Sequence, residues 1–233
     1  MTWVAGVDGY KDGWFAVLYE VHSGDLRYLA KKTFAEMLNI SPLPTVIAID
    51  IPIGLLDAAR RGGRDCDVQA RRLLKIRQSS VFPAPVRVAI SAMDYESAKR
   101  VNRESSSLNI GVSKQTHAIA PKIHDVDIVM TREKQDRVFE VHPELCFFEM
   151  VGHPMKKKKK TEAGYLERKQ LLPRFREVIQ ELEMHRLPNL EKDDVLDACA
   201  ACWTATRIFE KNAVRIPSNP PRDSRGLRME MWR

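Results

Sequence analysis

Residues 45–56 read TVIAIDIPIGLL, and the reading of Asp50 within them decides the fold. Thr45 to Ile49 form a short, β-branched apolar run, the pattern of a strand buried on both faces. A carboxylate at the end of such a strand is costly to bury unless a positive charge or a metal compensates it. Pro52 forbids simple continuation of the sheet, and Gly54 marks a tight turn. The strand therefore ends at Asp50, and the chain turns away above it.

Upstream, WVAGVD (3–8) is a short apolar strand that also ends in an aspartate, Asp8. GYKDG is a turn, WFAVLYEV (14–21) a second strand, HSGD a hairpin connection and LRYLAKK (26–32) a third strand. Thr33 suits the N-cap of a short helix over TFAEMLN. Three hairpin-joined strands, a helix and a buried strand match the start of the ribonuclease H-like fold. The expected class is α/β: a mixed five-stranded sheet, three antiparallel hairpin strands plus parallel strands, flanked by helices. A helical insertion follows the fourth strand.

Downstream, residues 51–134 are mostly helix and loop, with helices over 65–77 and 93–105 and a Pro-punctuated loop at SSVFPAPVR (79–87). A core strand returns at DRVFEVHP (136–143). A long helical pattern covers 161–185, open to interruption at Pro173, and 191–210 is the clearest helix, capped by Asp193 or its neighbour. The organisation expected is one domain over 1–210, with a helix-rich insertion at about 52–134. Residues 211–233, rich in Pro, Ser and Arg, read as a loose basic tail.

Hydrophobic residues at 44% and charged residues at 30% describe a soluble globular chain. No secretory leader and no membrane-length apolar run are legible, so cytoplasmic residence is the expectation, with no membrane partner. Cys199 and Cys202 sit one helical turn apart among alanines. Without a second such pair or spaced histidines they read as small buried helix residues. Composition leaves the oligomeric state open. The net charge of +7 leans towards polyanions. Residues 60–77 hold seven Lys/Arg against two Asp, residues 156–176 nine against two Glu, and residues 207–233 seven against three acids.

In a sheet of the expected order the first and fourth strands lie side by side, which sets Asp8 and Asp50 together at their carboxyl ends, where ligands of open α/β sheets bind. Asp194 and Asp197, at i and i+3, share one face of the last helix, and small neighbours Ala198, Ala200 and Ala201 permit close approach to the sheet. Such oxygen ligands suit Mg²⁺ or Mn²⁺. The chemistry they serve best is in-line phosphoryl displacement, with two ions on the order of 4 Å apart.

The runs VAGVDGYKDGW, AIDIPIGL, RQSSVFPAPVR, SKQTHAIAPKIHDVD, FEVHPELCF, KKTEAGYLER and DDVLDACAACWTA resemble, in order, a group of predicted ribonuclease H-like nucleases known as domain of unknown function 429. The resemblance spans about residues 3–210. In the wider clan, Holliday-junction resolvases share a first-strand G-[IV]-D, an acid closing the fourth strand and a D-x-x-D-A on the final helix. Gly6-Val7-Asp8, Asp50 and Asp194-Val195-Leu196-Asp197-Ala198 match these. The resemblance implies Asp8, Asp50, Asp194 and Asp197 as metal-binding catalytic acids, with Asp50 shorter than the glutamate usual in the resolvases. Glu140, closing the fifth strand, is a further catalytic candidate, with Glu144 as its neighbour beyond Pro143. His142 reads more readily as a turn histidine than as a general base.

Candidates for holding phosphate are Lys11, Arg77, Ser79, Ser80, Arg87, Lys122, Lys160 and Arg168, while Lys156 to Lys159 read as surface decoration. The function expected is metal-dependent hydrolysis of DNA or RNA phosphodiesters. Two alternatives stay open: an ATP-dependent phosphotransferase or ATPase of the sugar-kinase and actin type, and a non-catalytic nucleic-acid-binding protein.

Overall fold

In the computed structural model, which describes residues 1–233, the apolar runs become the elements the sequence implies. In chain order these are β1 (Trp3–Tyr10), β2 (Gly13–Glu20), β3 (Leu26–Lys31), α1 (Phe34–Met37), β4 (Val46–Ile49), α2 (Asp65–Leu74), α3 (Tyr95–Glu104), α4 (Lys114–Asp127), β5 (Val138–Glu140), α5 (Pro143–Val151), α6 (Glu162–Lys169), α7 (Arg176–Met184) and α8 (Lys192–Phe209). The chain divides into two compact units. The first is residues 1–50, 137–214 and 232–233; the second is residues 51–136 and 215–231. No helix is long and apolar enough to cross a membrane.

The first unit holds a five-stranded mixed sheet in the order β3-β2-β1-β4-β5, antiparallel through β3, β2 and β1 and parallel from β1 to β4 to β5. This is the sheet expected from sequence. Side chains alternate across it with period two. Val4, Ala48 and Val141 face a layer dominated by α8, whose Ala198 to Cys202 are all buried. Gly6 lies on that face. A Cβ there would sit 2.0 Å from the Cys202 nitrogen and 2.1 Å from the Ala198 carbonyl oxygen, so only glycine lets α8 approach this closely. On the opposite face Trp14 packs against Phe34 of α1, the rings tilted with centroids 5.5 Å apart. Thr33 caps α1 in a reciprocal capping box with Glu36, the device its position predicts.

The expected long helix at 161–185 is two helices, α6 and α7, separated by a 3₁₀ turn at Pro173–Phe175. Proline at the first position of that turn lacks the N–H a continuous helix needs. The cap of α8 is Glu191, in a box with Asp194, rather than Asp193. The four cysteines are free and buried. Burial pushes the Cys202 thiol up to about 12, so it stays protonated and acts as a small packing residue.

In the second unit, α2 stops at Leu74, short of the expected Arg77. Lys75 turns to φ 45°, and a 3₁₀ turn carries Lys75–Ser80. Ser113 caps α4, a helix across the SKQTHAIAPKIHDVD run that continues through Pro121. Arg64 has no exposed surface; it pairs with Asp67 at 2.8 Å and donates to the carbonyls of Ile53 and Gly54 at 3.0 and 3.2 Å. It thereby fastens the turn that follows β4.

The expected loose tail is instead fastened. Leu227, Met229 and Met231 are buried, at alternate positions, and Gln135 exchanges hydrogen bonds with the Arg228 backbone at 2.7 Å each way. Its last two residues belong to the first unit, where Trp232 meets Phe139 edge-on and Arg233 pairs with Glu149. The period-two pattern Leu-x-Met-x-Met puts three apolar side chains on the buried side of this segment, and their burial outweighs its basic composition.

Candidate metal centre

Parallel pairing sets Val7 opposite Ile49, and the Asp50 N–H donates to the Val7 carbonyl at 3.1 Å, so the next residues, Asp8 and Asp50, leave the sheet side by side. Both point to the side of Gly6 and Ala48, the face that α8 covers. The small residues there, Gly6 and Ala198, bring Asp197 and Asp194 over the two strand ends. All four expected acids therefore converge within the first unit.

Burial raises the Asp8 carboxyl well above its ordinary value, and the neighbouring Asp197 and Asp50 carboxylates raise it further. Burial and Asp197 push Asp50 up to about 6, against a lowering contribution from His142. Asp194 is likewise pushed up to about 6, chiefly by burial, and Asp197 is raised for the same reason. The Asp8 carboxylate accepts the Gly9 N–H at 2.8 Å, and Asp194 accepts the Glu191 N–H at 2.9 Å as part of the helix cap.

Charge compensation comes from a residue that reads as surface decoration in the sequence. Lys159 donates to Asp197 and lies 3.3 Å from Asp193, while Lys160 lies 2.8 Å from Asp193. Among its acidic neighbours Asp197, Asp8 and Asp193 outweigh the burial that opposes its charge, so its ammonium is held charged. Within a run of five lysines no local pattern distinguishes this one; only the Thr and Gly that follow hint at a shaped loop.

Glu140 stands elsewhere. It pairs in register with Ile49, so the pleat sends its side chain to the face opposite Asp8 and Asp50, and it is buried there. That one-residue offset sets it apart from the four aspartates. Glu144, in the first turn of α5, is the acid that reaches the cluster, where it acts electrostatically on Asp50 and Asp197. Arg168 is almost fully buried and holds Glu144 at 2.5 Å, so its guanidinium is spent on that carboxylate rather than open to phosphate. His142 caps α5, its Nδ1 accepting the Glu144 N–H at 3.2 Å, the turn role its context suggests.

Of the remaining phosphate candidates, Lys11 is exposed in the two-residue turn between β1 and β2. Arg77, Ser79 and Ser80 form the 3₁₀ turn after α2, and Lys122 lies on α4. Arg87 is bound to Asp127 at 3.2 Å and to Asp223, an architectural pairing within the second unit.

The donor set is of a type that could hold a divalent cation. Carboxylates from two strand ends and one helix, close enough to raise the Asp8 and Asp50 carboxyls, are donors of the kind that hard oxygen-seeking ions take. Asp8 and Asp50, at adjoining strand ends, are the residues that could hold such an ion. A model of the family described as "Protein of unknown function (DUF429)" matches residues 6–222. No curated protein and no solved structure matches the chain.

Proposed function

The chain belongs to the DUF429 family, and from that premise we propose that it is a metal-dependent nuclease hydrolysing phosphodiester bonds of DNA or RNA. The observation that carries the reading is the convergence of Asp8, Asp50 and Asp197 from β1, β4 and α8, with all three carboxyl groups raised by burial and those of Asp8 and Asp50 raised further by Asp197. Carboxylates held together at such a cost to stability favour a cation that relieves it. When bound there, Mg²⁺ or Mn²⁺ supplies Lewis-acid stabilisation of phosphoryl charge and activation of water. Asp8 and Asp50 orient that charge at the open end of the sheet. Lys159, already charged, adds a cationic group beside Asp197 that can stabilise a phosphoryl oxygen. The basic character of the chain, net +7, supports a polyanionic substrate.

The test is cleavage of labelled single- and double-stranded DNA and RNA with Mg²⁺ or Mn²⁺. Asp8→Asn and Asp50→Asn are expected to lose cleavage to background while keeping a cooperative melt and salt-sensitive polyanion binding. Full activity in both variants would sink the reading. Hydrolysis of ATP, with nucleic acid left intact, would favour the phosphotransferase alternative instead.

A further inference from the structure

KKTEAGYLER (159–168) follows three further lysines, and its packing explains the run residue by residue. Glu167 accepts the backbone N–H groups of Lys156 and Lys157 at 2.9 Å each. Thr161 caps α6, accepting the Gly164 N–H at 3.1 Å, and donates its hydroxyl to the Lys158 carbonyl at 2.8 Å. At Gly164 a Cβ would lie 1.9 Å from that same Lys158 oxygen, so the residue must be glycine for the loop to close on α6. Arg168 donates to the Lys157 carbonyl at 3.3 Å. The backbone of Lys156, Lys157 and Lys158 is thus clamped, and the next side chain, Lys159, is delivered to Asp193 and Asp197 on α8.

We propose that Lys159 takes the place of a second divalent cation, so that the acid cluster binds a single ion between Asp8 and Asp50. This rests on the metal-centre reading and sharpens it. A two-ion clamp needs carboxylate oxygens for two positions about 3.5–4 Å apart. Here one oxygen each of Asp197 and Asp193 is taken by the Lys159 and Lys160 ammonium groups, and one of Asp194 by the Glu191 N–H. With the ammonium set on the α8 side of the cluster, the Asp50 carboxylate and the Asp8 oxygen beyond the Gly9 contact are left at the two strand ends, enough for one ion completed by water. The ammonium supplies positive charge on the α8 side without a second ion having to shed its hydration. The loop that holds it is built from α6 outward, not left to a flexible surface chain.

The experiment is titration of Mn²⁺ into the full chain, read by calorimetry and by the electron paramagnetic resonance signal of free Mn²⁺. Wild type and Lys159→Arg are expected to bind one ion per chain. Lys159→Met is expected to bind two, or to bind the first about tenfold more tightly, because a neighbouring positive charge has gone. Two ions per chain in wild type overturn the proposal, as does a Lys159→Met protein with unchanged stoichiometry and affinity. If Lys159→Met does not fold, the wild-type count decides alone. No Mn²⁺ binding in any variant overturns the metal-centre reading itself, whereas two ions in wild type overturn only the role of the lysine.

Discussion

In the second unit the buried acids come with their own arginines. Asp67 meets Arg64, both without exposed surface; Asp127 is shared by Arg87 and Arg225; Asp223 accepts Arg87 and the Leu55 N–H. In the first unit Asp8, Asp50, Asp194 and Asp197 crowd together, with the Lys159 ammonium among them. Burial of carboxylates thus serves two ends. Where each acid has a guanidinium the pair fixes a loop, and removing one partner weakens the fold. Where acids face each other with too little positive charge, the fold carries a local cost that a cation can lift.

The contrast is most easily broken at Arg64. Arg64→Ala leaves Asp67 buried without its partner, and a loss of about 3–5 kcal/mol is expected in denaturant unfolding. A loss below about 1 kcal/mol would mean that the pair is not architectural. Gly6→Ala attacks the other unit through its spacing. The added methyl meets the α8 backbone, so a loss of about 1–3 kcal/mol is expected, together with weakened Mn²⁺ binding as Asp197 is pushed from Asp8. Unchanged Mn²⁺ affinity would show that α8 does not set the site.

Asp50→Asn should move stability in the opposite direction, gaining about 1–2 kcal/mol in the metal-free protein at neutral pH. The sign follows from its carboxyl, raised to about 6 by burial and Asp197. The folded state holds that proton more tightly than the unfolded one, so stability falls as pH rises from about 4 through 6. Wild type and Asp50→Asn should therefore melt together in acid and part company towards neutrality, and Mg²⁺ should close the gap. A destabilised Asp50→Asn at pH 7 would contradict the comparison.

Glu20 gives the smallest effect and the reverse slope. Backbone N–H groups of Ser23, Thr2 and His22 hold its carboxyl down at about 2. Its stabilising contribution is present above the ordinary glutamate range and is lost as pH falls through about 2. Glu20→Gln should thus lower the melting temperature slightly at pH 7, with the difference vanishing near pH 2; a difference that grows in acid would refute this.

Much of the first unit is legible because its signals are local and periodic. The β-branched run before Asp50, the hairpin strands and the i, i+3 spacing of Asp194 and Asp197 each report geometry over a few residues. Glu140 shows the limit of that reading. An acid at a strand end can face either side, and the register against Ile49, not the strand itself, decides which. Lys159 is opaque for another reason, since its selection depends on Glu167, Gly164 and Arg168 folding back from α6. The tail had a readable alternation, Leu227, Met229 and Met231, that its proline and arginine content obscured.

The lysine run also bears on how much of this chain is free to vary. The contacts that clamp Lys156, Lys157 and Lys158 reach their amides and carbonyls, which any residue but proline supplies. Five identical letters therefore carry unequal information. Three spell out only a backbone path, the fifth meets Asp193 from an exposed position, and the fourth alone is specified by the site it enters.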